Sequence, residues 1–286
     1  VAAPPAAAPP PPSPAGQSSS GAAAAMVAAG PRDYTVELLR TMPHADRPWT
    51  QGLEFASDGR LIETSGDYPR GSGSFVRVLN PTTGAVAQKV SEGMDGPDGH
   101  VFIEGISELD GRFFASTYED HKAIEYDSNL KFVRSHDFPH IGWGLTHTPD
   151  RKSFIATNGS AYVMLLEPGS FKLLSATPAT CMGKAVEGLN ELEMVDDFLG
   201  HGPALLGNIM NTRLVLVLDP STFACRGAFH LEGLEPSDAN ENFGFHVANG
   251  IAYNTQTRTF WVTGKNWVSM FEVRVSEDPK LATGQG

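Results

Sequence analysis

Glu104 lies in Val101-Phe102-Ile103-Glu104-Gly105-Ile106, an apolar run of strand length. Desolvation in such a run raises a carboxyl pKa towards neutrality. There a single group can take up a proton as a base and return it as an acid. Gly105 leaves room for another backbone to approach closely. The competing reading is a buried Glu that pairs with a cation for stability alone, and the residues by themselves leave both open. Three further polar residues sit inside apolar motifs: Gln51 in Trp49-Thr50-Gln51-Gly52-Leu53, Asn190 in Leu189-Asn190-Glu191-Leu192-Glu193, and Lys265 in Val262-Thr263-Gly264-Lys265-Asn266-Trp267. Such side chains can hold a carbonyl oxygen or the charge that develops in a tetrahedral intermediate. Lys265 beside Glu104 would oppose the pKa rise that burial causes. Hydrogen bonding within strands and turns is the alternative for Gln51 and Asn190. Trp143, between Gly142 and Gly144, offers a flat apolar wall that excludes water, with ordinary core packing as its alternative.

Other chemistries find no support. There are nine histidines but no H-E-x-x-H, and Pro139 between His136 and His140 keeps those two off a common helix face. No G-x-S-x-G, P-loop or dinucleotide fingerprint occurs. The metal ligand set is therefore read as none. A net charge of -12 repels phosphate backbones and anionic membranes, and suits a cationic partner such as a free peptide amine. No apolar run is long enough to span a bilayer. Cys181 and Cys225 have no C-x-x-C spacing, so one disulfide and two buried thiols are both open. Asn158-Gly159-Ser160 is a glycosylation sequon.

The elements that must position these residues read as strands. Residues 1–32 are rich in Ala, Pro, Ser and Gly, lack the basic start and Leu-rich stretch of a signal peptide, and are expected to form a disordered tether. Residues 277–286 are expected to form a disordered tail. Between them, at 33–276, short apolar runs such as Val215-Leu216-Val217-Leu218 alternate with turn signals, and no sustained 3.6-residue stripe occurs. One turn type, Asp-Gly-Arg followed by two apolar residues, occurs at Asp58 and Asp110, with weaker forms at Asp150, Asp196 and Thr257. A second follows in four cases, at Asn80, Tyr126, Glu167 and Asp219. Two interleaved turn series imply one four-stranded unit per period. The expected fold is all-β: a five-bladed β-propeller with four-stranded blades, closed by the N-terminal strand near Tyr34–Arg40. A two-sheet sandwich is the alternative, but gives no reason for the turn order to repeat.

The motifs already quoted, with Glu63-Thr64-Ser65-Gly66, Gly142-Trp143-Gly144-Leu145 and Asn249-Gly250-Ile251-Ala252-Tyr253, resemble in order the plant and bacterial type of glutaminyl cyclase. The resemblance runs from about Tyr34 to Val275. It implies a five-bladed propeller that converts an N-terminal glutamine of peptides or proteins to pyroglutamate with release of ammonia. It implies Glu104 as acid/base, Lys265 and Asn190 as further catalytic residues, and Gln51, Trp143 and Trp267 in the substrate pocket. Two pocket positions that are tryptophan in the family fall on Tyr118 and Met210, which puts substrate preference in doubt. The loop after Gly66 is also altered, and the acidic stretch Leu231–His246 reads as a loop over one face, a solvated insertion with guidance of a peptide amine as the alternative. No cofactor is required on this reading, although a structural divalent cation in the propeller channel is compatible with it. The expected protein is a monomer of a secretory or otherwise extracytoplasmic compartment. A propeller that binds peptides without turnover is the alternative.

Overall fold

The computed structural model describes residues 32–68, 71–91, 93–94, 101–234 and 247–277. Apart from Arg32 and Glu277, the expected tether and tail lie outside the described residues, as do residues 235–246 of the acidic stretch. Regular structure among the described residues is all β. After β1 (Arg32–Pro43), an antiparallel sheet runs β2 (Thr50–Phe55), β3 (Leu61–Ser65), β4 (Phe75–Leu79), β5 (Val86–Val90). A second runs β6 (Ile103–Leu109), β7 (Arg112–Thr117), β8 (Lys122–Tyr126), β9 (Phe132–Asp137). A third runs β10 (Leu145–His147), β11 (Phe154–Ala156), β12 (Tyr162–Leu166), β13 (Leu173–Pro178). A short hairpin, β14 (Thr180–Cys181) and β15 (Lys184–Ala185), precedes β16 (Leu189–Val195), β17 (Ala204–Ile209), β18 (Leu214–Leu218) and β19 (Cys225–His230). The last strands are β20 (Ala248–Asn254), β21 (Thr259–Gly264) and β22 (Ser269–Glu277), with β1 antiparallel on β22. These last two groups, β16–β19 and β20–β22 with β1, are the fourth and fifth sheets of the succession, and a two-residue parallel pairing of Arg32–Asp33 with Gly227–Ala228 joins their edges into one eight-stranded sheet.

The turn chemistry explains this order. The first turn series falls between the first and second strand of each group, the second between the third and fourth. Asn80 accepts from the N–H groups of Thr82 and Thr83, Asp127 from Asn129 and Lys131, and Asp219 from Ser221 and Thr222. These are side chains mimicking a backbone turn. The last group has no second turn because β1, from the other end of the chain, supplies its fourth strand.

The first strands lie against one another in succession: β2 on β6, β6 on β10, β10 on β16, β16 on β20, and β20 on β2. The inner strands of each sheet are therefore covered on both faces, as in β3, β6 and β16, while the outermost strands β5, β9 and β13 are largely exposed. In β7, Phe113 and Ala115 face the core shared with the first sheet, while Phe114 faces the core shared with the third. In β11, Phe154 and Ala156 face one way and Ile155 the other; in β21, Phe260 and Val262 face opposite to Trp261. The result is a propeller-like stack with a separate core between each pair of neighbouring sheets. Cys181 and Cys225 are joined in a disulfide spanning 44 residues. Closing a loop of that length contributes about 4 kcal/mol on the chain-entropy account.

Candidate active site

Four of the five first strands carry a register irregularity near their start: Thr50/Gly52, Ile103/Ile106, Leu189/Leu192 and Ala248/Ile251. A bulge adds a residue to one strand and re-aims its side chain. The residues so placed are Gln51, Glu104, Asn190 and Asn249. In the third sheet the matching position is Trp143, whose N–H donates to Thr157 O at 2.9 Å just before β10. One short pattern, the residue so placed followed by Gly and then Leu or Ile, thus occurs in four of the five positions around the ring. The glycines are where neighbouring first strands meet. A Cβ on Gly105 would lie 2.4 Å from Leu145 N and 2.8 Å from Trp143 O. In the fourth sheet Glu191 replaces that glycine. Its carboxyl accepts from Leu53 N at 3.3 Å and Ile251 N at 2.9 Å, tying β16 to β2 and β20.

Hydrogen bonds run from one strand to the next. Gln51 Nε2 donates to Glu104 Oε1 at 2.9 Å. Thr64 Oγ1 donates to Glu104 O at 2.6 Å, and Gly105 N to Trp143 O at 2.8 Å. Gly144 N donates to Thr157 Oγ1, which donates to Asn190 O at 2.8 Å. Gly250 N donates to Asn208 Oδ1 at 3.2 Å, and Asn249 Nδ2 to Gln51 Oε1 at 3.2 Å. Gln51 is thereby held by its oxygen and aims its N–H at the Glu104 carboxyl.

Glu104 is 4% exposed and Lys265 3%. Burial pushes the Glu104 carboxyl up to about 8, against a lowering pull from the Lys265 ammonium. Burial lowers Lys265 in turn, and Glu104 opposes that shift. The pair is thus a carboxyl poised to exchange a proton near neutrality beside a cation. Lys265 Nζ also lies 5.3 Å from the centroid of the Trp49 ring, a cation–π contact, and the Trp49 and Tyr68 rings lie 4.0 Å apart, tilted by 37°. Asp67 accepts from Gly71 N, Gly73 N and Ser72 Oγ, which shapes the altered loop next to Tyr68.

Tyr118 is 37% exposed and near enough to Glu104 that its hydroxyl is raised, by burial first and then by Glu119 and Glu104. Met210 Sδ receives Asn190 Nδ2 at 3.5 Å. Trp143 packs against Gly159, whose added Cβ would lie 2.4 Å from the indole. Trp267 is not brought to these residues. Its ring is fully buried in the core between the fourth and fifth sheets, against Phe271. The residues missed in the sequence are Asn249, Glu191, Trp49 and Tyr68. The repeated start of the first strands could have pointed to Asn249, whereas Trp49 and Tyr68 meet only through folding. Among the described residues, no group of three or more His, Cys, Asp or Glu is arranged to hold a metal ion.

The family described as glutamine cyclotransferase matches residues 14–275. A curated relative, glutaminyl-peptide cyclotransferase of Arabidopsis thaliana, is 27% identical over 247 residues, covering 85% of this chain and 72% of the relative. The crystal structure of Myxococcus xanthus glutaminyl cyclase shares the fold, with a TM-score of 0.72 at 24% identity over 87% of this chain and 99% of that one.

Proposed function

Because the chain belongs to the glutamine cyclotransferase family, we propose that it closes the N-terminal glutamine of peptides or proteins into pyroglutamate with release of ammonia, Glu104 carrying both proton transfers. The neutral α-amine attacks the carbon of its own side-chain amide. A C–N bond forms, and the Glu104 carboxylate takes the proton that the attacking nitrogen sheds. Glu104 then returns that proton to the amide nitrogen, the bond to that nitrogen breaks, and ammonia leaves. Lys265 faces the negative charge that builds on the amide oxygen, and Gln51 fixes the carboxyl orientation. Asn190 holds the substrate amide, while Trp143 and Trp49 wall the pocket and hold the reacting ends together. Tyr118 and Met210 line its rim and set preference.

The observation that carries this reading is a buried Glu104, bonded to Gln51, raised towards neutrality by burial and drawn down by the Lys265 charge. The cyclic succession of first strands and the β1–β22 pairing support a five-bladed propeller closed by β1. The disulfide and the plant relative support an extracytoplasmic location. The proton transfers require no cofactor.

The test is a short Gln-initiated peptide, followed by ammonia release and peptide mass, with and without EDTA. We expect loss of one ammonia, unaffected by the chelator and abolished in Glu104→Gln. A folded protein that binds the peptide without changing its mass would instead be a peptide-binding propeller, a reading that the replacement of two family tryptophans at Tyr118 and Met210 favours.

A further inference from the structure

A buried ionic knot adjoins the site without including Glu104, Gln51 or Lys265. Glu63, Arg77 and His44 are all nearly or fully buried. Glu63 Oε2 accepts from Arg77 Nε at 2.7 Å, and its Oε1 from Thr50 Oγ1 at 2.7 Å and from the His44 ring at 2.8 Å. Burial pushes this carboxyl up, yet the charges of His44 and Arg77 and the hydrogen bonds hold it near 2, so it is an anion. The other ring nitrogen, Nδ1, lies 3.0 Å from Trp267 O, which has no proton to give. Thr263 Oγ1, 3.1 Å from Nδ1, has Ser269 O at 3.1 Å to receive its own proton. Both ring nitrogens therefore face acceptors, and both must carry hydrogen. The charged groups around the ring are Glu63, Arg77 and, 3.8 Å from Arg77, the exposed Asp46.

The knot grips the two partners of Glu104. His44 N donates to Val268 O at 2.8 Å and its ring to Trp267 O, so one residue holds the two carbonyls that follow the Lys265 turn. That turn is also tied by Lys265 N to Val247 O and by Asn266 N to Pro48 O, with Asn266 at φ 61°. Thr50, on the same carboxylate, precedes Gln51 in β2.

We infer that His44 is a positioning residue for the reaction: as a buried imidazolium anchored on Glu63, it fixes the turn that carries Lys265 against Glu104. This rests on the proposed cyclase reading for its consequence in turnover, but not for its geometry. Lys265 pulls Glu104 down only while it is held close, so loosening the turn lets Glu104 titrate higher.

Two variants divide the grip. The amide of His44→Gln reaches towards Glu63 and leaves Trp267 O, whereas that of His44→Asn reaches Trp267 O and leaves Glu63. We expect His44→Gln to lower kcat on the order of tenfold with little change in KM. The acid limb of its kcat/KM profile should move upward, in the direction of Lys265→Met, and His44→Asn should move it less. His44→Gln combined with Lys265→Met should show no further shift than Lys265→Met alone. A His44→Gln enzyme whose Tm falls while the limb stays put would overturn the inference and leave a stabilising cluster only. Two readouts need no turnover: 13C NMR titration of Glu104, assigned with Glu104→Gln, and the 15N shifts of the His44 ring in the wild-type protein at pH 7.5. An upward Glu104 titration in His44→Gln and an imidazolium signature support the inference even if no peptide is cyclised. A neutral imidazole overturns it even if the variants do not fold.

Discussion

At the scale of single residues, the candidate site sets two opposing influences on one carboxyl. Burial raises Glu104 and Lys265 lowers it, leaving a group that can act first as base and then as acid near neutral pH. The base form is the ionised one, so activity rises with pH through the Glu104 value. Removing the cation removes the lowering influence. Lys265→Met is therefore expected to shift the acid limb of kcat/KM to higher pH and to lower kcat by roughly two orders of magnitude, since on the proposed mechanism it also removes the charge facing the developing oxyanion. Rate measurements between pH 5 and 10 check both. A limb that moved to lower pH would contradict the placement of Lys265. Glu104, Gln51, Asn190 and Lys265 could be picked out because each is a polar residue in an apolar run. Their partners could not. Trp49 meets Tyr68 and Lys265 across loops, and His44 bonds with Trp267 across 223 residues of chain.

At the scale of elements, the bulged start of four of the five first strands is the repeating device. It needs a residue to present and a glycine to let the next strand approach. Gly105 illustrates the second need. The obstacle to a side chain there is space rather than backbone angle, because Leu145 N and Trp143 O stand where the Cβ would go. Gly105→Ala is expected to cost about 1–3 kcal/mol in urea unfolding and to displace Glu104, lowering kcat/KM. Gly111, in the β6–β7 turn, has φ +72° and nothing within 4 Å of an added Cβ. Gly111→Ala should cost about 1 kcal/mol from the left-handed backbone and leave kcat/KM intact. Equal effects of the two on activity would contradict the role given to the first strands. The turn series predicted these hairpins because Asn and Asp at turn starts act locally. The missing second turn of the fifth period hid its fourth strand, which comes from the opposite end of the chain.

At the scale of the whole molecule, the ring of first strands buries carboxyls besides Glu104. Burial raises Glu54 to about 8 and lifts Glu191 and Glu193 well above 4.5. Each accepts a backbone N–H, from Glu108, Ile251 and Tyr253 respectively. A cavity of about 260 Å³ opens beside Glu54, Glu108, Glu193 and His147. A group raised on folding binds its proton more tightly in the folded chain. Its contribution is complete below its unfolded value of about 4.5, and for Glu54 is lost as pH rises through about 8. The melting temperature is therefore expected to fall as pH climbs through this window. Calorimetry on Glu193→Gln, which keeps the acceptor for Tyr253 N without a titrating proton, should show a shallower fall. An identical slope would show that Glu193 is ionised in the folded state.

The amino-acid sequence by itself determined the all-β class, the two interleaved turn series and the family, because turn chemistry and strand propensity are local and the ordered motifs are specific. It also marked Glu104, through the apolar residues on either side of it. Only the tertiary structure decided that Trp267 is core while Trp49 faces Lys265, that Cys181 and Cys225 are bridged, and that His44 and Glu63 stand behind the site. Those outcomes depend on which side of a strand faces which neighbour and on contacts between distant segments, which come into being only when the ring of first strands assembles.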